Sequence, residues 1–178
     1  MKNFNISFWL IPEEKEKNYF QKIINDIAKK YKAFPFLPHI TIYAGVNCFE
    51  NELKKIISQT DQISNQLTSI TLKSVNIQYS DIFTKTLYIQ FKKTKKLVNY
   101  YSLFFQSFKN YFEYQLNPHL SLIYKNNMEI KEKEKLVKEI LVPKQVIFNQ
   151  LMIIVKENGS IKNEEDVLDW RIVYKKLL

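Results

Sequence analysis

The sequence predicts an α+β protein of two lobes, built to one plan and packed as a single body over residues 1–178. Three observations carry that expectation. Apolar residues alternate in some segments and recur at helical spacing in others. The resulting order is strand–helix–strand–helix–strand, then strand–helix–strand–helix–strand–strand, so one half resembles the other. A short histidine motif occurs once in each half, and no long linker separates them.

Each element has a local reason. Phe4 to Ile11 is apolar with polar interruptions and stops at Pro12, which suits a first strand. Glu13 to Tyr31 places Tyr19, Phe20, Ile23, Ile24 and Ile27 at helical spacing. Acidic residues open that segment and Lys29 and Lys30 close it, complementing the helix dipole. The breaker-rich run Phe34-Pro35-Phe36-Leu37-Pro38 leads into a short strand, His39 to Tyr43. Glu50 to Ile63 is a second amphipathic helix, with Leu53, Ile56 and Ile57 on its apolar side.

In the second half, Thr68 to Tyr79 and Thr86 to Lys92 alternate and read as antiparallel neighbours across the loop 80–85. Val98 to Phe112 is an aromatic-rich helix whose Leu103, Phe104, Phe108 and Phe112 suit a core. Asn117-Pro118 breaks into a short strand, His119 to Tyr124. Glu129 to Leu141 is a charged helix with a solvated face. Val142 to Lys156 is a strand, and Trp170 to Tyr174 begins the last one.

The whole-chain properties narrow the function classes. Only two glycines are present and no G-x-x-x-x-G-K pattern occurs, which excludes a Gly-rich phosphate loop. The net charge is +9, almost all of it lysine, with Arg171 the only arginine. A basic surface attracts phosphates, yet lysine-rich coding bias explains the total better when the net charge is taken alone. Cys48 is the single cysteine, so no intrachain disulfide and no Cys-based metal site is expected. The N-terminus lacks the unbroken apolar run of a signal peptide, and no stretch approaches the ~20 apolar residues of a membrane span. A cytoplasmic monomer with no membrane partner is the expectation.

The chemistry lies in the two histidines, the only ones in the chain. Pro38-His39-Ile40-Thr41-Ile42 is matched, 80 residues on, by Pro118-His119-Leu120-Ser121-Leu122. Each reads Pro-His-aliphatic-hydroxyl-aliphatic. Strand side chains alternate faces, so His39 and Thr41 share one side and Ile40 and Ile42 the other; His119 and Ser121 stand likewise against Leu120 and Leu122. Each strand can then plug a core with aliphatics and offer an imidazole and a hydroxyl to a groove. One imidazole can take a proton from water while the other gives one to a leaving oxygen. The hydroxyls can donate to phosphate oxygens as charge grows there. A lone strand histidine is ordinarily structural, but two in matching frames favour a catalytic pair. No acidic residue lies in either motif and no H-E-x-x-H occurs, so no metal and no other cofactor is expected.

These paired motifs resemble the 2H phosphoesterase superfamily, whose members carry one H-x-[T/S]-x motif per lobe. The opening Ile6-Ser7-Phe8-Trp9-Leu10-Ile11-Pro12 and the closing Trp170-Arg171-Ile172-Val173 are similar to the first and last strands of its plant and yeast cyclic phosphodiesterase branch. The resemblance covers nearly the whole chain. It implies a bilobal fold, two pseudo-twofold-related lobes of antiparallel sheet with outer helices around a central cleft. It also implies metal-independent hydrolysis of nucleoside 2′,3′-cyclic phosphates or ADP-ribose 1″,2″-cyclic phosphate to a phosphomonoester.

By position, His39, Thr41, His119 and Ser121 take the catalytic roles, with His119 the base and His39 the acid. Tyr124 aligns with an aromatic at the end of the second motif and is a candidate phosphate contact, with a buried strand-end tyrosine as its alternative. Phe83 falls where relatives place a base-stacking aromatic, with Lys85 beside it to offset phosphate charge. Trp9 is a candidate cleft residue, with core packing as its alternative. The chain departs from the resemblance by lacking the cysteines of the plant enzymes and the arginine-rich C-terminal segments of the bacterial RNA-ligase-like branch. The expected partner is a small nucleotide or cyclic phosphate, with an RNA end possible. Two other functions stay open: a 2′–5′ phosphodiesterase acting on oligonucleotides, RNA ends or cyclic oligonucleotide signals, and a non-catalytic RNA-binding module.

Overall fold

The computed structural model describes residues 2–159 and 161–178. Its seven strands and four helices are β1 (Asn3–Pro12), α1 (Glu14–Tyr31), β2 (Ile40–Phe49), α2 (Glu50–Ser64), β3 (Ile70–Tyr79), β4 (Leu87–Phe91), α3 (Lys95–Phe108), β5 (His119–Ile123), α4 (Ile130–Glu139), β6 (Gln145–Glu157) and β7 (Arg171–Leu177). Every strand pairing is antiparallel. Short 3₁₀ turns at Phe83–Lys85 and Glu165–Asp169 complete the chain.

The lobes are joined through one sheet path, β2-β1-β6-β3-β4-β5, with β7 also on β6. The long strand β6 makes the junction. One of its edges carries β1, from Phe148 to Glu157. The opposite edge is divided: β3 takes Gln145 to Phe148, and β7 takes Gln150 to Val155. The two histidine-bearing strands therefore stand at the two ends of the path, and those ends touch one another. A curled sheet of this kind makes a groove between its ends.

The helices lock the halves together by exchange. Helix α1 leaves β1 but packs on β5, while α3 leaves β4 but packs on β2. Phe8 of β1 shows the second contact: its ring lies 4.9 Å from both Phe104 and Phe108 of α3. All three are fully buried, and each such side chain contributes about 1.5–3 kcal/mol by leaving water. Separating the lobes would expose both helix faces, so the core specifies the groove as well as the fold.

Two element bounds differ from expectation for physical reasons. Strand β2 runs on to Phe49, well beyond Tyr43, because β1 offers it partners along its whole length, from Leu10↔Ile40 to Asn3↔Phe49. Helix α3 begins earlier and ends earlier, at Phe108. Thr94 caps its start by accepting from the Leu97 amide, and the chain beyond Phe108 turns so that Phe112 reaches β2. Gly45 makes that approach possible. It sits at φ +86°, beside the bulge of the β1–β2 ladder, and a Cβ there would meet the Phe112 ring at 2.6 Å. Gly45→Ala should therefore lose about 1–3 kcal/mol of stability in denaturant unfolding; an unchanged midpoint would show that the strand can relax around the methyl group.

Candidate active site

The groove between the sheet ends is a cavity of about 600 Å³. Strands β1 and β2 supply Ser7, Trp9 and Thr41, with His39 at the entry to β2. His119 and Lys85 face them from the other lobe. The two scarce histidines are thus brought to one site.

Their local geometry is the same to within 0.1 Å. His39 Nδ1 lies 2.6 Å from the Leu37 carbonyl, and His119 Nδ1 lies 2.7 Å from the Asn117 carbonyl. A carbonyl can only accept, so each Nδ1 carries the hydrogen and each Nε2 is left free. The proline before each histidine favours this bend, since it has no amide hydrogen to compete and confines the residue before it to extended backbone.

Burial sets the electrostatics. It pushes His39 down to about 3, with His119 adding a smaller effect against the bond to Leu37. His119 is pushed down to about 4, again mainly by burial, with the Lys85 ammonium contributing. Burial also pulls Lys85 below the usual lysine range. Both imidazoles are neutral in the empty cleft at neutral pH, and an anion between them would favour protonation of one.

The surroundings of the two rings differ. Trp9 stacks flat on His39, with centroids 3.5 Å apart and planes 5° apart. Trp170 stands edge-on to both Trp9 and His39, and Phe36 closes the same side. Among the described residues His119 instead meets one ring, Tyr88, edge-to-face at 5.4 Å, and has Lys85 for a cation. The register relates the two aromatics: Trp9 is paired with Thr41, and Tyr88 with Ser121. Each hydroxyl of the motif therefore has an aromatic opposite it on the neighbouring strand.

The remaining expected residues divide. Thr41, Lys85, Trp9 and Tyr124 line the cavity. Trp9 is at once core and wall, since it is only 3% exposed. Ser121 departs from the expected role: its hydroxyl donates to the Thr84 carbonyl at 2.7 Å, and it is not among the cavity-lining residues. Phe83 is also displaced from its expected place. Its ring packs on Tyr124 at 5.7 Å, below the cavity wall, because the 3₁₀ turn Phe83–Lys85 points it inward while Lys85 points to the groove. Tyr124 is buried and stacked on Phe36 at 4.1 Å, and burial holds its phenol well above the usual range.

Other residues enter that sequence reasoning missed. Trp170, which the sequence marks only as the start of a strand, stands at the cavity wall beside His39 after the 3₁₀ turn Glu165–Asp169. Tyr114 lines the cavity with its hydroxyl 3.4 Å from the Thr41 carbonyl, and burial pushes its phenol up to about 12. Lys156 lines the cavity too. A lysine at the end of an apolar strand was the available signal. Its ammonium is already paired, 3.0 Å from Asp166 Oδ1 and 3.8 Å from Asp169 Oδ2, so it is not a free cation for substrate. Among the described residues, no group of three or more His, Cys, Asp or Glu side chains is placed to hold a metal ion, and no helix is long and apolar enough to cross a membrane.

Two lobes of antiparallel sheet, with one H-x-[T/S]-x strand from each meeting at a cleft, define a two-histidine phosphoesterase. A model of the family "Cyclic phosphodiesterase-like protein" matches residues 4–178. The chain belongs to that family, and through it to the 2H phosphoesterases. No curated protein matches the sequence. Solved structures with the same fold include a phosphoesterase (10% identity, TM-score 0.60, 98% of each chain covered). Escherichia coli LigT in its apo form is similar at 8% identity and TM-score 0.59, over 99% of this chain and 98% of that one. LigT has also been solved with phosphate and with 3′-AMP.

The depressed histidines have a consequence for stability. Unfolding restores ordinary affinity for protons, so this contribution is complete above about pH 6.5 and is lost as pH falls toward 4 and 3. Across the upper part of that window each histidine costs about 1.4 kcal/mol per pH unit. Denaturant unfolding at pH 7 and pH 5 should show a smaller drop for a His39→Asn/His119→Asn variant than for the wild type. Equal drops would mean that the two imidazoles are not buried as described.

Proposed function

We propose that this protein hydrolyses 2′,3′-cyclic nucleotides or ADP-ribose 1″,2″-cyclic phosphate to a phosphomonoester, using His39 and His119 as an acid–base pair without a metal. The single observation that carries the reading is the matched geometry: each Nδ1 bonded to the carbonyl two residues back, and each Nε2 left free in one cavity.

The roles are those the family resemblance implies, with His119 the base and His39 the acid. Lys85 disfavours a positive charge on His119, although burial lowers His39 further still; as base, His119 accepts the proton of the attacking water at Nε2. The face of Trp9 lies against His39, where it attracts an imidazolium. A bound phosphodiester anion adds to that attraction and loads His39 Nε2 with a proton. As the water oxygen bonds to phosphorus, the ring oxygen departs with the proton from His39. The products are a phosphomonoester and a free hydroxyl, and the pair is left with its protonation states exchanged. A proton exchanged with solvent resets it.

Thr41 and Lys85 line the cavity, which supports their meeting the non-bridging oxygens, where negative charge grows in the transition state. Ser121 serves at one remove by holding the Thr84 carbonyl next to Lys85. Trp170, half-buried at the cavity wall, offers apolar surface to a nucleoside. LigT, of the same fold, has been solved with phosphate and with 3′-AMP, a nucleoside phosphomonoester.

Product analysis by phosphorus NMR, in the presence of EDTA, tests the reading. Cyclic phosphates should be converted to monoesters, and His39→Ala or His119→Ala should each lower kcat by about 10²–10⁴-fold with the fold intact. Full activity in either variant would refute the acid–base pair, and loss of activity in EDTA would refute metal independence.

A further inference from the structure

Helix α4 carries a lysine where packing calls for an apolar residue. Its buried positions are Lys133 and Leu136, three residues apart on one face, while Lys131 and Lys135 are exposed. The Lys133 side chain is only 2% exposed. Taking an ammonium out of water is costly unless it is paired and hydrogen-bonded, and a methionine would pack the helix without that cost. Lys133 is not among the residues that line the cavity. What its charge does is set by its partners.

Both partners belong to the loop between β3 and β4. Lys133 Nζ donates to the Ser80 carbonyl and to Asp81 Oδ1, each at 2.9 Å. The Asp81 side chain is 97% exposed, so that ion pair is screened by water and the carbonyl bond is the tighter constraint. Ser80 passes the contact on. Its hydroxyl donates to the Lys85 carbonyl at 2.9 Å and accepts from the Ile82 amide at 3.2 Å. The Lys85 amide in turn donates to the Ile82 carbonyl at 2.8 Å. Two hydrogen bonds thus connect the buried ammonium of α4 to the backbone of Lys85, whose side chain lines the cavity. The tip of the loop, Asp81-Ile82, is exposed, so hydrogen bonds rather than packing fix it.

We propose that Lys133 is a positioning residue for the cleft: acting through Ser80, it sets where Lys85 presents its ammonium to a bound phosphodiester. The proposal rests on the phosphodiesterase reading of the cleft and adds to it a residue that lies outside the cleft. An ammonium stabilises the growing phosphate charge only from the right place, and a displacement of about 1 Å can cost about 10²-fold in rate.

The test is a double-mutant cycle in the full chain. Lys133→Met keeps most of the packing and removes the donor; Ser80→Ala removes only the hydroxyl that links the two lysines. Each is made in the wild type and in Lys85→Ala, and kcat and KM are measured on a 2′,3′-cyclic nucleotide. In the wild type each substitution should lower kcat about tenfold or more with KM little changed. In Lys85→Ala neither should lower it further. A lysine that only anchors α4 would give equal losses in the two backgrounds, and that result, or no loss in either, would overturn the proposal. If Lys133→Met does not fold, Ser80→Ala decides alone.

Amide hydrogen exchange supplies a readout that needs no turnover. The Lys85 amide should exchange about tenfold or more faster in both variants, while that of Ile89, inside β4, stays unchanged. Unchanged exchange at Lys85 would overturn the proposal. Faster exchange in a protein that hydrolyses no cyclic phosphate would uphold the hold of Lys133 on Lys85, and only the reading of the cleft would fail.

Discussion

An imidazole has one hydrogen to place when neutral, and in this protein a backbone carbonyl decides its position twice. Leu37 holds Nδ1–H of His39, and Asn117 holds Nδ1–H of His119. With that nitrogen occupied, Nε2 becomes the only atom that can take or give a proton in the cleft. Burial then removes the charge from both rings. The site is thereby poised: neutral when empty, and able to hold a single proton when an anion arrives to stabilise it. Trp9 stacks on one ring and Lys85 acts on the charge of the other, while burial lowers His39 further than His119.

The rest of the structure serves to bring these two frames together. Each motif strand is short on chemistry and long on anchoring, since Ile40 and Ile42, like Leu120 and Leu122, are buried. The strands lie at opposite ends of one sheet path, and the exchange of α1 and α3 between halves keeps those ends in contact. Gly45 lets Phe112 close against β2, which places the stretch carrying Tyr114 over the Thr41 side of the groove. A change in the core can therefore loosen the cleft without touching a residue that meets substrate.

Much of this was legible in the sequence, because it depends on local pattern. The duplicated Pro-His-aliphatic-hydroxyl-aliphatic frame needs only strand alternation to be read, and the helices follow from their apolar spacing. What was not legible depends on register and on loops. Ser121 looks equivalent to Thr41 by motif, yet the turn after Ile82 offers it the Thr84 carbonyl. Phe83 and Lys85 lie two residues apart, but a 3₁₀ turn sends one to the core and the other to the cavity. Tyr88 carries no signal of its own and Trp170 signals only a last strand; one is placed by pairing with Ser121, the other by the turn that precedes β7.

The most direct measurement of the central claim is nitrogen-15 NMR of the two imidazoles, followed through a pH titration with and without inorganic phosphate. The account predicts Nδ1–H tautomers for both rings in the free protein, both neutral down to pH values well below 6.5, and protonation of one of them when phosphate binds. Two ordinary titrations near 6.5 that ignore phosphate, or hydrogens found on Nε2 instead, would contradict it.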